Sequence, residues 1–284
     1  MNKRILLSRM RHSYFFVAGL ICLCVLMIAV YILPLFIDWD PISASLDERF
    51  MPPEGLARGL KGHVFGTDEL GRDVLMRLLI GGQYSFRLAF IAVIMITIIG
   101  SIMGTVSGYF GGWLDVIIMR LCETVLAIPA LIMTIAMIAV LGQSTLNLII
   151  VLCVSGWVQI CKVTRNRVRV VKRQEFVLAS KSLGAKNAHI MFKQIFPNVT
   201  TNIIILTSQR LGTVILLEAS LSFLNLGIAA PAPSWGNMIS TGRQYLAAYP
   251  WLIIVPGCAL MLGVLSFNFM GDGIRDVLDT KRKV

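Results

Sequence analysis

Long apolar stretches alternate with short polar ones along the chain. The first runs from Tyr14 to Ile37, and five more follow at about Leu88–Tyr109, Val116–Leu141, Leu146–Val163, Ile203–Leu226 and Trp251–Met270. Crossing a bilayer takes roughly 20 apolar residues per helix. Helix is the default there, because every backbone N–H and C=O must find a partner within the segment. The pattern therefore predicts six membrane-spanning helices, with a tight polar hairpin at 142–145 between the third and fourth. The first stretch exceeds the roughly 7–15 residues of a signal-peptide core and lacks a small-residue cleavage site, so it is expected to remain as a helix. Pro129 removes a helix hydrogen bond and is expected to kink the third span. The predicted fold class is all-α, a polytopic membrane protein.

Composition agrees with this reading. The 284 residues are 56% hydrophobic and only 14% charged, with a mean hydropathy of +0.78, whereas a soluble domain carries about 25% charged residues. A soluble enzyme, a disordered chain and a disulfide scaffold are excluded. The six cysteines lie in or beside apolar stretches, where cysteine acts as a small hydrophobe. His12, His63 and His189 are scattered, so no metal site is expected.

The net charge of +11 would suggest nucleic acid on a soluble domain, but its placement gives another meaning. Lys162, Arg165, Arg167, Arg169, Lys172, Arg173, Lys181, Lys186 and Lys193 fall in one loop with a single acid, Glu175. Lys3, Arg4, Arg9 and Arg11 precede the first span, and Arg275, Lys281, Arg282 and Lys283 follow the last. The segment from Asp38 to Arg77 instead holds eight acids against five Lys and Arg, and Gly227–Pro250 has only Arg243. Basic loops stay in the cytoplasm. Both termini and the basic loop are therefore expected inside, and six spans satisfy this. No nucleic-acid fold has room in such a loop, so no nucleic-acid partner is expected.

Within the basic loop, apolar and small residues at Phe176, Ala179, Ser180 and Leu183 recur at helical spacing. They predict a short amphipathic helix stopped by Gly184, followed by a second from Asn187 to Phe196 ended by Pro197. Such a helix fits a groove of a partner protein or the membrane surface; the residues alone leave both open. Asn198-Val199-Thr200 matches a glycosylation pattern but lies on the expected inner side.

This loop resembles the EAA loop of ABC-importer membrane subunits. Leu178-Ala179-Ser180 stands where that loop has Glu-Ala-Ala, Gly184 keeps its spacing, and Ile195-Phe196-Pro197 matches its end. Leu178 departs from the usual glutamate. Further stretches are similar to the dipeptide/oligopeptide/nickel permease branch, specifically its C-type second permease. These are Phe65-Gly66-Thr67-Asp68-Glu69-Leu70-Gly71-Arg72-Asp73, Glu218-Ala219-Ser220-Leu221-Ser222-Phe223, Ser234-Trp235-Gly236-Asn237-Met238 and Gly271-Asp272-Gly273-Ile274-Arg275-Asp276.

The resemblance implies a type I ABC-importer transmembrane domain in a bacterial inner membrane, with a first segment 1–87, a core 88–284 and a coupling loop 162–202. It implies a homologous second permease subunit, two ATPase subunits and an extracytoplasmic binding protein as partners, besides the bilayer. Its coupling residues would be Leu178, Ala179, Ser180, Leu183, Gly184, Ala185, Ile190 and Pro197. The cargo would be a peptide, with nickel or a metal chelate as the alternative. The chain has no Gly-x-x-x-x-Gly-Lys-Ser/Thr loop, so ATP and Mg are expected on the ATPase partners, no cofactor here, and no enzyme activity. A self-sufficient secondary transporter would instead call for inverted repeats, which the sequence does not display.

Two charges fall inside the fifth span. Arg210 and Glu218 lie within about 80° of each other around a helix, and a buried charge is costly unless it meets protein or water. They are candidates for a translocation path or a subunit or intra-bundle charge pair. Arg120 and Glu123 are expected to pair or snorkel. Gly66, Thr67, Asp68, Gly71, Arg72 and Asp73 form an outside motif that either ties its segment to the bundle or meets the binding protein.

Overall fold

The computed structural model describes residues 13–36, 40–55 and 62–278; the basic residues before Ser13 and after Leu278 lie outside them. Most of the described residues are helical, with α1 Tyr14–Ile32, α2 Val74–Phe110, α3 Gly112–Ala127, α4 Ala130–Leu141, α5 Thr145–Val171 and α6 Glu175–Ser182. They continue with α7 Asn187–Phe223, α8 Trp235–Gly242 and α9 Trp251–Leu278. Five helices are long and apolar enough to cross a membrane, and the bent pair of α3 and α4 brings the number to six when counted as one span.

The spans stand where the hydropathy places them, but several ends move. Helix α2 starts at Val74 rather than near Leu88, and runs unbroken through position 87. Arg77 and Gln83 interrupt the apolar run without interrupting the helix, because each finds a partner. Gln83 Nε2 donates to Val30 O at 2.8 Å and Arg77 donates to Pro41 O at 3.2 Å. Asp73 caps the helix by accepting from Met76 N at 2.7 Å.

At Ile128-Pro129 the third span does more than kink: α3 and α4 meet at 89°. Pro129 also overturns nothing downstream, since α4 begins directly after it. The second proline expectation is corrected. Pro197 does not end a helix; it sits in the first turn of the α-helical part of α7, Phe196–Phe223. The reason lies one turn earlier. Ile190–Ile195 is wound as a π-helix, in which Phe196 N donates to Met191 O. That wider turn relieves the ladder that a proline ring would otherwise break.

The core forms among α2, α5, α7 and α9, with α8 closing it against α7 and α9. Phe86 is fully buried, edge-on to Trp235 at 5.2 Å and to Phe267 at 6.0 Å. The segment at 234–237 earns its place one residue at a time. Ser234 caps α8, Trp235 donates from Nε1 to Leu78 O at 2.9 Å, and Asn237 Nδ2 donates to Ile228 O at 2.7 Å. Helix α1 is peripheral and packs on α9, where Gly19 and Gly273 allow close approach to Met270 and Phe16.

Helices α2 and α5 pack most closely. A Cβ at Gly100, Gly104 or Gly108 would lie 2.7, 2.5 or 2.7 Å from the carbonyl oxygen of Trp157, Cys161 or Arg165. Small residues every fourth position permit such backbone contact in membranes. Gly104→Leu is expected to lower resistance to denaturing detergent by about 3 kcal/mol through overpacking. Gly257→Leu, where a side chain would meet open space, should change it little; equal stability of the two variants would contradict this packing.

Candidate functional site

Three groups of side chains carry the candidate chemistry: a cap joining α1 to α2, the segment around α6, and the charges of α5 and α7.

The cap is a self-contained polar knot. Asp68 accepts from Leu70 N at 2.9 Å, Arg72 N at 3.0 Å and Arg72 Nε at 2.8 Å, with Arg77 Nε at 3.2 Å. Arg72 also donates to Glu69 Oε1 at 3.0 Å. Thr67 bonds Met51 through both backbone and hydroxyl, and its hydroxyl donates to Glu48 O. Asp73 accepts from the α2 N-terminus and meets His63 Nδ1 at 2.9 Å. Gly66 and Gly71 turn the chain at φ of +75° and +74°, where a side chain would also strike Met51 O or Ser45 O. Phe50 stacks on Tyr249 at 4.2 Å and fastens the knot beside α9. Each residue of the outside motif thus has an internal partner. Asp68→Ala removes the acceptor shared by Arg72, Arg77 and the Leu70 and Arg72 backbone N–H groups, so the cap should become sensitive to added protease while the spanning helices stay protected; unchanged cleavage would refute this role.

The basic loop folds as helix, turn, helix. Glu175–Ser182 forms α6, and Gly184 at φ +82° makes the turn. The side facing the protein is Val177, 3% exposed, with Ile190, Ile195, Val199, Ile203, Val168, Val171 and Tyr109. Gln194 donates to Ser180 Oγ, and Tyr109 OH donates to Asn187 Oδ1 at 2.7 Å. Lys172 Nζ donates to Tyr109 O at 2.5 Å, and its pKa is pushed down by burial and then by Lys181, Arg169 and Arg173. The predicted stripe is the opposite face. Phe176, Leu178, Ala179 and Gly184 are exposed, as is Leu183 at 88%. Ala185 is half-buried, Ile190 buried and Pro197 exposed. The spacing found the face; Val177, which anchors it, carries no signal distinguishing it from its neighbours.

Arg210 and Glu218 do not pair with each other, and they meet different helices. Glu218 is fully buried and accepts from Ser85 Oγ at 3.0 Å and Ser222 Oγ at 2.7 Å. Arg210 donates to Gln159 Oε1 at 3.0 Å and Gly156 O at 3.1 Å. Arg120 pairs with Glu123 at 2.9 Å on the exposed face of α3. One cluster escaped the sequence reading. Asp115 accepts from Arg165 at 2.5 and 2.7 Å, Arg169 at 2.8 Å and Ser107 at 2.5 Å, joining α2, α3 and α5. Its arginine partners stand 50 and 54 residues away, which no local pattern reveals. Among the described residues, no group of three or more His, Cys, Asp and Glu side chains is placed to hold a metal ion.

The structure is thus a helical membrane bundle with a helix–turn–helix projecting from one end and a folded cap at the other. Residues 96–284 match the family described as binding-protein-dependent transport system inner membrane component. The chain belongs to that family. It is 36% identical to the oligopeptide transport system permease protein OppC of Bacillus subtilis, over 96% of this chain and 88% of that one. It is equally identical to the dipeptide transport system permease protein DppC of Alkalihalophilus pseudofirmus, over 94% and 86%. Identity to the probable D,D-dipeptide transport system permease protein DdpC of Escherichia coli is 35%, over 90% and 86%. Among solved structures, the fold is shared with the MetNI methionine ABC transporter in inward-facing form. There the TM-score is 0.58 at 19% identity, covering 70% of this chain and 95% of that one.

Proposed function

We propose that this chain is one permease subunit of an ATP-driven importer of peptides, working beside a homologous second permease, two ATPase subunits and an extracytoplasmic binding protein. The observation that carries the coupling role is α6. Its inner face is locked to α2, α5 and α7 by Val177, Tyr109 and Gln194, while Phe176, Leu178, Ala179 and Leu183 present a free apolar face. A partner groove closing on that face would move α6 and the spanning helices together. Residues 162–202 serve as the coupling loop of the 88–284 core, with ATP and Mg held by the ATPases. The basic loop and both termini lie on the cytoplasmic side of the inner membrane. The peptide cargo is inferred from the relatives, whose names specify oligopeptides and dipeptides.

Reconstitution of this chain with those partners in proteoliposomes should give uptake of a labelled di- or tripeptide that requires ATP. Uptake by this chain alone, indifferent to ATP, would overturn the reading.

Ala179→Glu puts a charge on the free face, and Gly184→Lys adds backbone strain to it, since left-handed φ costs a non-glycine residue about 1–2 kcal/mol. Both variants should insert normally yet lose peptide uptake, with ATPase subunits no longer co-purifying or hydrolysing ATP without transport. Wild-type uptake in both would remove α6 from the coupling role.

A further inference from the structure

Arg210 is a half-buried cation within a spanning helix, and the partners of its guanidinium are neutral. Its guanidinium has five N–H groups. Nη1 donates to Gln159 Oε1 and Nη2 to Gly156 O, while buried Nε has no acceptor. No carboxylate pairs with it among the described residues. Asp272, the acid that meets the preceding residue Gln209, is engaged with its Nε2 at 3.0 Å. An intramembrane charge left without a counter-ion is expensive, so its retention calls for an anion that is present only part of the time.

The surroundings show where that anion would come from. A cavity of about 50 Å³ opens beside Arg210, lined by Gln159, Gln209 and Thr213. Gln159 is exposed although its neighbours Val158 and Ile160 are buried. On α5 it belongs to a polar row, Ser155, Gln159, Lys162 and Asn166, spaced to share one helix face. That row leads to a second cavity of about 480 Å³, lined by Lys162 and Asn166 together with Asp115 and Glu123, each acid paired with an arginine of the same lining, Arg165 and Arg120. Lipid does not tolerate such a row, so it faces water or protein. It forms a hydrophilic track from mid-span toward the basic loop.

We propose that Arg210 binds the carboxylate of the transported peptide as it moves along this track, with Gln159 and Gln209 offering amide groups to its backbone. This rests on the peptide reading above. A guanidinium held by neutral acceptors keeps its full attraction for a carboxylate. Because no carboxylate of the chain occupies it, cargo can bind and leave.

The test uses the assembled transporter in proteoliposomes, with Ala-Ala-Ala and its C-terminal amide each supplied at a concentration that fills the binding protein. Arg210→Gln should lower uptake of the free acid by about tenfold to a hundredfold, the worth of a charge-assisted hydrogen bond, and leave uptake of the amide at its wild-type rate. Arg210→Lys, which keeps the charge but not the fork, should fall between. An equal fall for both peptides with the complex intact, or no change for either, would overturn the assignment. Loss of the partner permease on purification would overturn it in favour of a carboxylate on that subunit. Absence of wild-type uptake of either peptide would overturn the peptide reading itself, and this inference with it.

Discussion

The contact of α2 with α5 is the constraint on which the rest of the structure depends. In lipid the hydrophobic effect does not draw helices together, so association rests on close packing and interhelical hydrogen bonds. Gly100, Gly104 and Gly108 let the carbonyls of Trp157, Cys161 and Arg165 come against α2. Gly156 on α5 in turn receives Ile96 of α2. This seam fixes the register of the two helices, and with it everything at their shared basic end. Arg165 and Arg169 can reach Asp115 only because α5 is held against α2 and α3. Lys172 reaches Tyr109 for the same reason. Asp115 and Ser107, both buried, then form with half-buried Arg165 and exposed Arg169 a charged knot that ties the three helices together.

From that end the rigidity passes outward. Tyr109, at the end of α2, touches Val168 and Val171 of α5 and the apolar cluster under α6. Its hydroxyl holds Asn187 at the start of α7. Helix α6 is only eight residues long, too short to be stable alone, yet it is held in place by Val177 beneath and by the Gly184 turn. The π-helical turn at Ile190–Ile195 belongs to the same arrangement, since it carries the chain past Pro197 into a spanning helix without a break. A displacement of α6, passed by its packing to the start of α7, is thus carried into the spanning part of α7 along one continuous helix.

Much of this was legible in the sequence, for a reason specific to membranes. Lipid forces each apolar stretch into helix, so the order of the apolar helices could be read directly, and the break at Pro129 followed from its missing N–H. The ends could not be read, because hydropathy stops at Arg77 and Gln83 while their hydrogen bonds to the cap and to α1 let the helix continue. Pro197 was misjudged because a π-turn upstream leaves no mark in the pattern. Periodicity identified the 176, 179 and 183 face of α6 without saying that it faces outward, since a spacing defines a face and not its neighbour. The glycines at 100, 104 and 108 were a readable signal of close packing that charge and motif reading passed over.

Arg210 and Glu218 show why residue type and spacing do not assign a role to an intramembrane charge. Both lie on α7, two turns apart, and their angular relation suggested a common purpose. Glu218 is enclosed by Ser85 of α2 and Ser222 of its own helix, so both carboxyl oxygens are satisfied within the fold. It is fully buried, has no access to a passing solute, and acts as a hydrogen-bonded tie between α2 and α7. Arg210 lies against α5 where that helix turns its polar row outward, and its partners leave the charge uncancelled. The difference comes from which neighbouring helix each one faces. Because the glycine seam sets how α5 lies against α2, the close packing that holds the bundle together also determines which face of α5 is left for Arg210 to meet.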